Sequence, residues 1–336
     1  MKYANSIKIG SSLLLKCTEK EIKNACFNLF DFLDFSHKLE KTNNIIIKPN
    51  IVSLQDYTYG SVTDPFVLDC LIEYLRNYTD KKILIAESET IWKTEKRMLE
   101  DKPDYDEKQQ LKGFDLSLRS SGVEKVVGKY KNVSVLNITR AKKLKSVIVR
   151  KKLTEKFGAN SSVFFPEFLK MIPKEFQSDS IFFSLSKIKS HKFMDTKITN
   201  CLKNQYGLIS DADKTIYHKK LSEAILCINM VSSSLFDCYY ITEALRYTME
   251  AGGPTKGDTI KNLGLAVAGK DPVEIDAIAA TLMEVDPEKL DYLQLCRNVL
   301  GNYNRGELEK IPNIFKRRFK LHPDIDRLTR GDKLYQ

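Results

Sequence analysis

The sequence has no apolar run approaching the roughly 18 residues that a membrane-spanning helix needs. Its first residues, MKYANSIKIGSSLLLKC, have only Leu13, Leu14 and Leu15 as an apolar centre. They lack a longer hydrophobic region and a small-residue cleavage site, so the segment is not read as a signal peptide. The cysteines at 17, 26, 70, 201, 227, 238 and 296 include no Cys-x-x-Cys pair. That excludes the common zinc and iron–sulfur spacings, and no bound iron–sulfur cluster is expected. Cys70 in VLDCLIEYL and Cys296 in YLQLCRNVL sit among apolar neighbours. They read as reduced, buried thiols of a cytoplasmic protein, with no membrane partner. Internal repeats and low-complexity segments are also missing.

What is present is the composition of a globular chain: 336 residues, 42% hydrophobic and 29% charged. The net charge of +10 favours anionic partners, small or macromolecular, without choosing among them. A single α/β domain over residues 1–336 is expected, ending in a basic, surface-packed tail from about residue 313.

The apolar pattern along the chain supports that class. Ile22, Ala25, Cys26, Leu29, Phe30 and Leu33 recur at helical spacing. Ile45-Ile46-Ile47 is a short β-branched run of the kind found in buried parallel strands, and Pro49 ends it. Asp64 or Thr63 caps a helix that Pro65 opens. Residues 82–86 make the next strand, which gives a βαβ unit. Residues 92–112 read as an exposed helix and loop, 113–122 as a further helix, 133–138 as a strand, and 166–178 as a short helix. The basic run 140–152, RAKKLKSVIVRKK, reads as a hairpin or edge strand, where lysines discourage aggregation. Further strands are expected at 181–185 and 263–268. Asp271 then caps a helix opened by Pro272.

The densest polar chemistry lies in Ser184 to Ile209, SLSKIKSHKFMDTKITNCLKNQYGLI, just past the 181–185 strand. It holds Lys187, Lys189, His191, Thr199, Lys203 and Asn204. Thr199 and Lys203, four apart, would share a helix face, as would Lys214 and His218 further on. Lys48 and Asn50 follow the first central strand, and Glu87 ends the second. Asp276 interrupts the apolar run IDAIAATLM, and Gly253 lies in a glycine turn whose N–H groups would cradle a phosphate. In open α/β sheets ligands bind beyond the carboxyl ends of the strands. If the strands near 45–47, 83–86, 181–185 and 263–268 all point one way, these residues and the Asp271 helix start share one cleft.

Several motifs in this order, IIIKPNIV, GSVTDP, ILIAES, SLSKIKSHKF, TNCLKNQYGLI, DKTIYH, MEAGGPTKG and AGKDPVEIDAIAA, resemble the family described as domain of unknown function 362. The resemblance runs from about residue 45 to 282. It is most specific at Lys189 to His191 and at Thr199 to Asn204, and the family's Lys-Thr-His is Lys-Ser-His here. It implies an α/β fold and a shared site at these positions. Many relatives add a ferredoxin-like segment for a [4Fe–4S] cluster, and this chain has no such cysteine run. Relatives commonly end the strand before the glycine turn in aspartate, where this chain has Thr242-Glu243.

The favoured expectation is a cytoplasmic enzyme or ligand-binding protein for a small anionic metabolite, a carboxylate or phosphate. Lys48, Lys189 and Lys203 would neutralise the anion. His191 would exchange protons. Asn50 and Asn204 would orient the ligand, with Lys187, Thr199, Lys214, His218 and Gly253 around them. Asp276 and Glu87 would accept protons or hold a divalent cation. Cys201 reads as a buried thiol before a nucleophile. Two alternatives stand beside this: nucleic-acid binding through 140–152, and a non-catalytic accessory role to an iron–sulfur or redox partner.

Overall fold

The computed structural model of the chain describes residues 5–52, 54–90, 107–158, 161–162, 165–176, 179–191, 196–253 and 257–322. The chain opens with a hairpin of β1 (Asn5–Ile9) and β2 (Ser12–Lys16), then α1 (Ile22–Leu33) and the short α2 (Ser36–Leu39). β3 (Asn44–Pro49) leads through α3 (Pro65–Arg76) to β4 (Ile83–Glu87). α4 (Glu107–Ser120) and α5 (Val123–Val127) then lead to β5 (Val133–Asn137). α6 (Ser146–Phe157) precedes β6 (Ser180–Lys187), which runs on into a small ribbon, β7 (Lys189–Ser190) with β8 (Ile198–Thr199). α7 (Cys201–Asn204) and α8 (Leu221–Leu235) follow. Next come β9 (Asp237–Ala244), a hairpin of β10 (Tyr247–Glu250) and β11 (Asp258–Lys261), and β12 (Leu265–Gly269). α9 (Pro272–Leu282), α10 (Asp291–Cys296) and α11 (Arg305–Glu309) close the elements used below.

An eight-stranded sheet, in the order β1-β2-β12-β9-β6-β3-β4-β5, carries the fold. β9, β6, β3, β4 and β5 are parallel to their neighbours in turn. The alternating side chains of the central strands explain why the sheet has helices on both faces. Ile45 and Ile47 enter one core and Ile46 the other, as Ile181 and Phe183 do against Phe182. Each fully buried side chain of this kind contributes about 1.5–3 kcal/mol. α1, α3, α4 and α5 fill one core, and α6, α8, α9 and α10 fill the other. The α/β class with a largely parallel sheet is therefore the fold.

Several local expectations need correction. The strand at 263–268 is β12, and it runs antiparallel to β9, with Leu265 opposite Ala244 and Gly269 opposite Tyr240. The β10–β11 hairpin lies between them and lets the chain turn straight back, where a parallel pair needs a crossover of a dozen or more residues. The carboxyl end of β12, with Asp271 beyond it, therefore points away from the edge where β3, β6 and β9 end. The run 140–152 contains no strand: α6 starts at Ser146 and buries Val149 and Leu153, four apart, while Val147 is 67% exposed. A three-residue alternation is too short to separate strand from helix. The outer strands of the sheet are β1 and β5, which among the described residues pair with β2 and β4 alone.

α4 continues through Gly113 instead of starting there, and 91–106 of the charged segment lies outside the described residues. The helix expected at 166–178 is a single 3₁₀ segment, Pro166–Lys170. The tail is not merely surface. Phe315, Phe319 and Leu321 are buried, and the Arg317 N–H donates to the Leu282 carbonyl at 2.8 Å. Residues 323–336 lie outside the described part.

The Asp271 cap forms as read. Its carboxylate accepts from the N–H groups of Val273 (2.9 Å) and Glu274 (3.0 Å), and additionally from Asn302 (2.9 Å). Asp271→Ala is expected to lower stability in urea unfolding by about 1–2 kcal/mol. Affinity for any ligand at the opposite strand edge should be unchanged.

Candidate functional site

The strand order reverses between β3 and β6. From β3 the chain steps outward to β4 and β5 through helices of one core, and from β6 it steps to β9 through α8 of the other. Such a reversal is where ligands bind in open α/β sheets. The registers Lys48↔Ser184 and Lys187↔Glu243 put the polar ends of β3, β6 and β9 on that one edge.

The first group there is a buried ion pair. Lys48 Nζ donates to Glu87 Oε2 at 2.6 Å and to the Pro49 carbonyl at 2.6 Å. The N–H groups of Ile51 (3.2 Å) and Ser88 (3.1 Å) complete the Glu87 carboxylate. Burial pulls Lys48 down and pushes Glu87 up, and their mutual contact opposes both shifts. Asn204 Nδ2 ties this group to α7, donating to the Lys48 carbonyl and Ser184 Oγ, both at 3.0 Å. Lys214 Nζ donates to the Glu89 carbonyl at 2.7 Å, and burial takes its ammonium down to about 8, with Glu87 opposing.

The second group is Lys187 with Glu243, fully buried at 2.7 Å. Lys187 also donates to the Tyr247 carbonyl, and Glu243 accepts from the Leu245 N–H at 2.9 Å. Glu243 thus answers the question raised by Thr242-Glu243: the carboxylate at this strand end neutralises Lys187. Burial pushes its acid up, and Lys187 is the main opposing influence.

The third group is unlike the other two. Lys189 is completely buried, and among the described residues its ammonium donates to the Ser61 carbonyl alone. Among the described residues no carboxylate pairs with it. Burial, then the like charges of Lys203 and Lys187, hold it well below the usual lysine range. Lys203 Nζ lies 3.2 Å from His191 Nε2. Lys203 keeps partial solvent contact, yet desolvation takes its ammonium down to about 7. Among the described residues, buried polar atoms of Asn50, Thr199, Asn200, Gln205 and Thr242 find no hydrogen-bond partner. Each such atom costs about 1–3 kcal/mol.

Other expected site residues stand differently. Asp276 lies beneath α7. Its carboxylate accepts from the Cys201 N–H (2.8 Å), the Leu202 N–H and Tyr292 Oη (3.0 Å). It therefore fixes the start of the helix that carries Lys203 and Asn204, and burial pushes its acid up to about 7. Thr199 and Lys203 do not share a helix face: Thr199 is in β8, opposite Lys189, and α7 begins at Cys201. Lys214 and His218 lie on a 3₁₀ segment, where residues three apart share a face. Lys214 and Tyr217 therefore point inward, while His218 stacks over Tyr206. Gly253 has φ +127°, and a Cβ there would come within 3.0 Å of the Ser190 carbonyl. The Gly252 N–H is taken by Ser190 Oγ at 3.2 Å, and residues 254–256 lie outside the described part. Glu243, Ser61, Asn200, Gln205 and Thr242 were not singled out as site residues. Only the departure at Thr242-Glu243 hinted at any of them.

The model of the family described as domain of unknown function (DUF362) matches residues 45–281. The chain belongs to the DUF362 family. No curated protein and no solved structure matches it. Every residue of the lysine groups above lies inside the matched region of this DUF362 chain. Among its described residues, no set of three or more His, Cys, Asp or Glu side chains gathers as a metal site. Its described cysteines are free thiols, and five of the seven are buried.

Two variants of the DUF362 chain test the frame. A Cβ on Gly207 would lie 2.6 Å from both Glu87 Oε1 and Lys48 Nζ. Gly207→Ala is therefore expected to cost about 1–3 kcal/mol in urea unfolding, as overpacking does. Asp276, with its folded-state acid raised from 3.8 to about 7, makes the folded state bind more protons than the unfolded one between those values. Its contribution is present at pH 4 and lost as pH rises towards 7 and beyond. Asp276→Asn is expected to flatten stability against pH over that window, measured as urea midpoints from pH 4 to 8.

Proposed function

We propose that this DUF362 protein binds a small anionic metabolite, a carboxylate or phosphate, at the β3–β6 crevice in the cytoplasm. It would act there as an enzyme or as a ligand-binding protein. One observation carries the reading: Lys189 buries an ammonium beside Lys187 and Lys203 with no carboxylate partner among the described residues. A buried charge is costly unless it is paired, and an anion placed among these groups supplies the missing partner. Lys48 and Lys187 already have carboxylates. The cation left for the ligand among the described residues is therefore Lys189, with Lys203 binding the anion and His191 exchanging protons beside it. Asn50, Thr199, Asn200, Gln205 and Thr242 supply polar atoms for the rest of the molecule. They are varied enough for a ligand with hydroxyl or carbonyl groups as well as charge.

Calorimetric titration with acetate, succinate, citrate, phosphate and glycerol phosphate tests this. At least one is expected to bind at pH 6.5, and Lys189→Met should weaken that binding more than tenfold. The same variant should keep or raise the melting temperature of the free protein, because replacing an uncompensated buried charge with an apolar isostere is neutral or stabilising. A less stable Lys189→Met protein with unchanged affinity would make Lys189 structural and sink the reading.

The pH dependence has a definite sign. Lys203 loses its proton near pH 7 in the free protein, and an anion favours the protonated form. Affinity should therefore fall as pH rises from 7 to 9, by up to about tenfold per unit. Titrations at pH 8 in buffers of different ionisation heat should show proton uptake on binding.

A further inference from the structure

We propose that Arg246 is a positioning residue for Lys189: it clasps both ends of the segment 57–66, which crosses the carboxyl edge of the sheet, and so keeps the Ser61 carbonyl seated on the lysine ammonium. The proposal concerns the lysine on which the reading under Proposed function rests, but it needs only the burial of that lysine and no bound anion. Four placements carry it. The middle of the segment touches Lys189 itself, since the ammonium donates to the Ser61 carbonyl. Just downstream, Thr63 is fastened at the ends of β3 and β6. Its N–H donates to the Asn50 carbonyl at 2.9 Å, and its hydroxyl donates to the Leu185 carbonyl at 2.8 Å. Asp64 then reaches two charged side chains. Its N–H donates to Glu243 Oε1 at 3.4 Å, while its carboxylate accepts Arg246 Nε at 2.6 Å and Arg246 Nη2 on the other oxygen. Finally, the Arg246 guanidinium lies 5.6 Å from the ring centre of Tyr57 and 5.0 Å from that of Phe66. One side chain, rooted in the turn between β9 and β10, thus holds residues 57, 64 and 66 together.

Steric contact alone does not do this. Gly60 lies against the Thr248 backbone, where a Cβ would come within 2.4 Å, so that contact limits how closely the segment can settle. Arg246 limits how far it can lift. Arginine suits the role in a way that lysine does not, because its planar fork meets a carboxylate at two points and its faces stack on rings. The Asp64 side chain is 1% exposed, so removing Arg246 leaves a buried carboxylate without its cation. Releasing the clasp frees the segment to lift and lets water reach Lys189. Burial is the main cause that holds that ammonium low, and the like charges that add to it are Lys203 and Lys187. Loosening the segment therefore moves the Lys189 midpoint up, towards the ordinary 10.5.

The test is the Lys189 titration midpoint in the free chain, read by NMR on protein labelled at lysine Cε. Arg246→Gln is expected to raise the midpoint by about one pH unit or more, a tenfold change in the proton equilibrium. Arg246→Lys, which keeps the charge without the fork, should raise it by less. If Arg246→Gln does not fold, Phe66→Ala takes its place. That variant removes no charge and should raise the midpoint by about half a pH unit or more. Asp271→Ala weakens the fold at the opposite edge of the sheet and should leave the midpoint where it is. No rise in the folded Arg246→Gln or Phe66→Ala protein overturns the proposal. An equal rise in Asp271→Ala also overturns it, since Arg246 would then be a general support of stability. A wild-type midpoint near 10.5 overturns both this proposal and the reading under Proposed function. If no anion binds, yet the midpoint still rises in Arg246→Gln, that reading fails and the clasp stands.

Discussion

The structure depends on how positive charge is accommodated at the carboxyl edge of β3, β6 and β9. Lysines this deep are rarely tolerated without partners. Lys48 and Lys187 are each held within 2.7 Å of a carboxylate, and backbone groups complete those carboxylates. Among the described residues Lys189 has only a backbone carbonyl. Two carboxylate-paired lysines thus flank one that has no carboxylate among the described residues. Removing one member of a buried pair costs more than the pair itself contributes, so the paired lysines resist change.

The rest of the frame serves that contrast. The chain switches direction between β3 and β6, and α3 and α8 belong to opposite cores. Asp276 anchors the start of α7, and Asn204 ties its end to the Lys48 carbonyl, so Lys203 is presented from a helix of four residues fixed at both ends. Gly207 leaves just enough room for the following turn to lie on the Lys48–Glu87 pair. A short helix has little stability of its own. Its placement comes from these tertiary contacts, and Lys203 inherits its position from them.

Much of the fold was legible because local rules agreed. The Ile45–Ile47 and Ile181–Phe183 runs, the Asp64-Pro65 and Asp271-Pro272 caps, and the lysine-dense stretch after β6 each carry a short-range signal. What escaped was set by distance or by connection. The direction of β12 follows from the hairpin before it, not from its own residues. α6 was hidden because Val147 and Val149 alternate like a strand, while the burial that decides the matter falls on Val149 and Leu153. Which lysines were neutralised could not be read, since Glu87 lies 39 residues from Lys48 and Glu243 lies 56 from Lys187. The sequence could nominate the cations, but only the register of the sheet sorts the paired ones from Lys189.

The central claim, that Lys189 is a buried amine awaiting an anion, is most directly tested by lysine-selective NMR. Protein labelled at lysine Cε is titrated from pH 5 to 10, and the Lys189 signal is assigned by Lys189→Met. The account predicts that in the free protein Lys189 titrates well below the ordinary 10.5, and that a saturating small anion moves its midpoint upward. A Lys189 that titrates near 10.5 in the free protein, and does not respond to any anion, would contradict it.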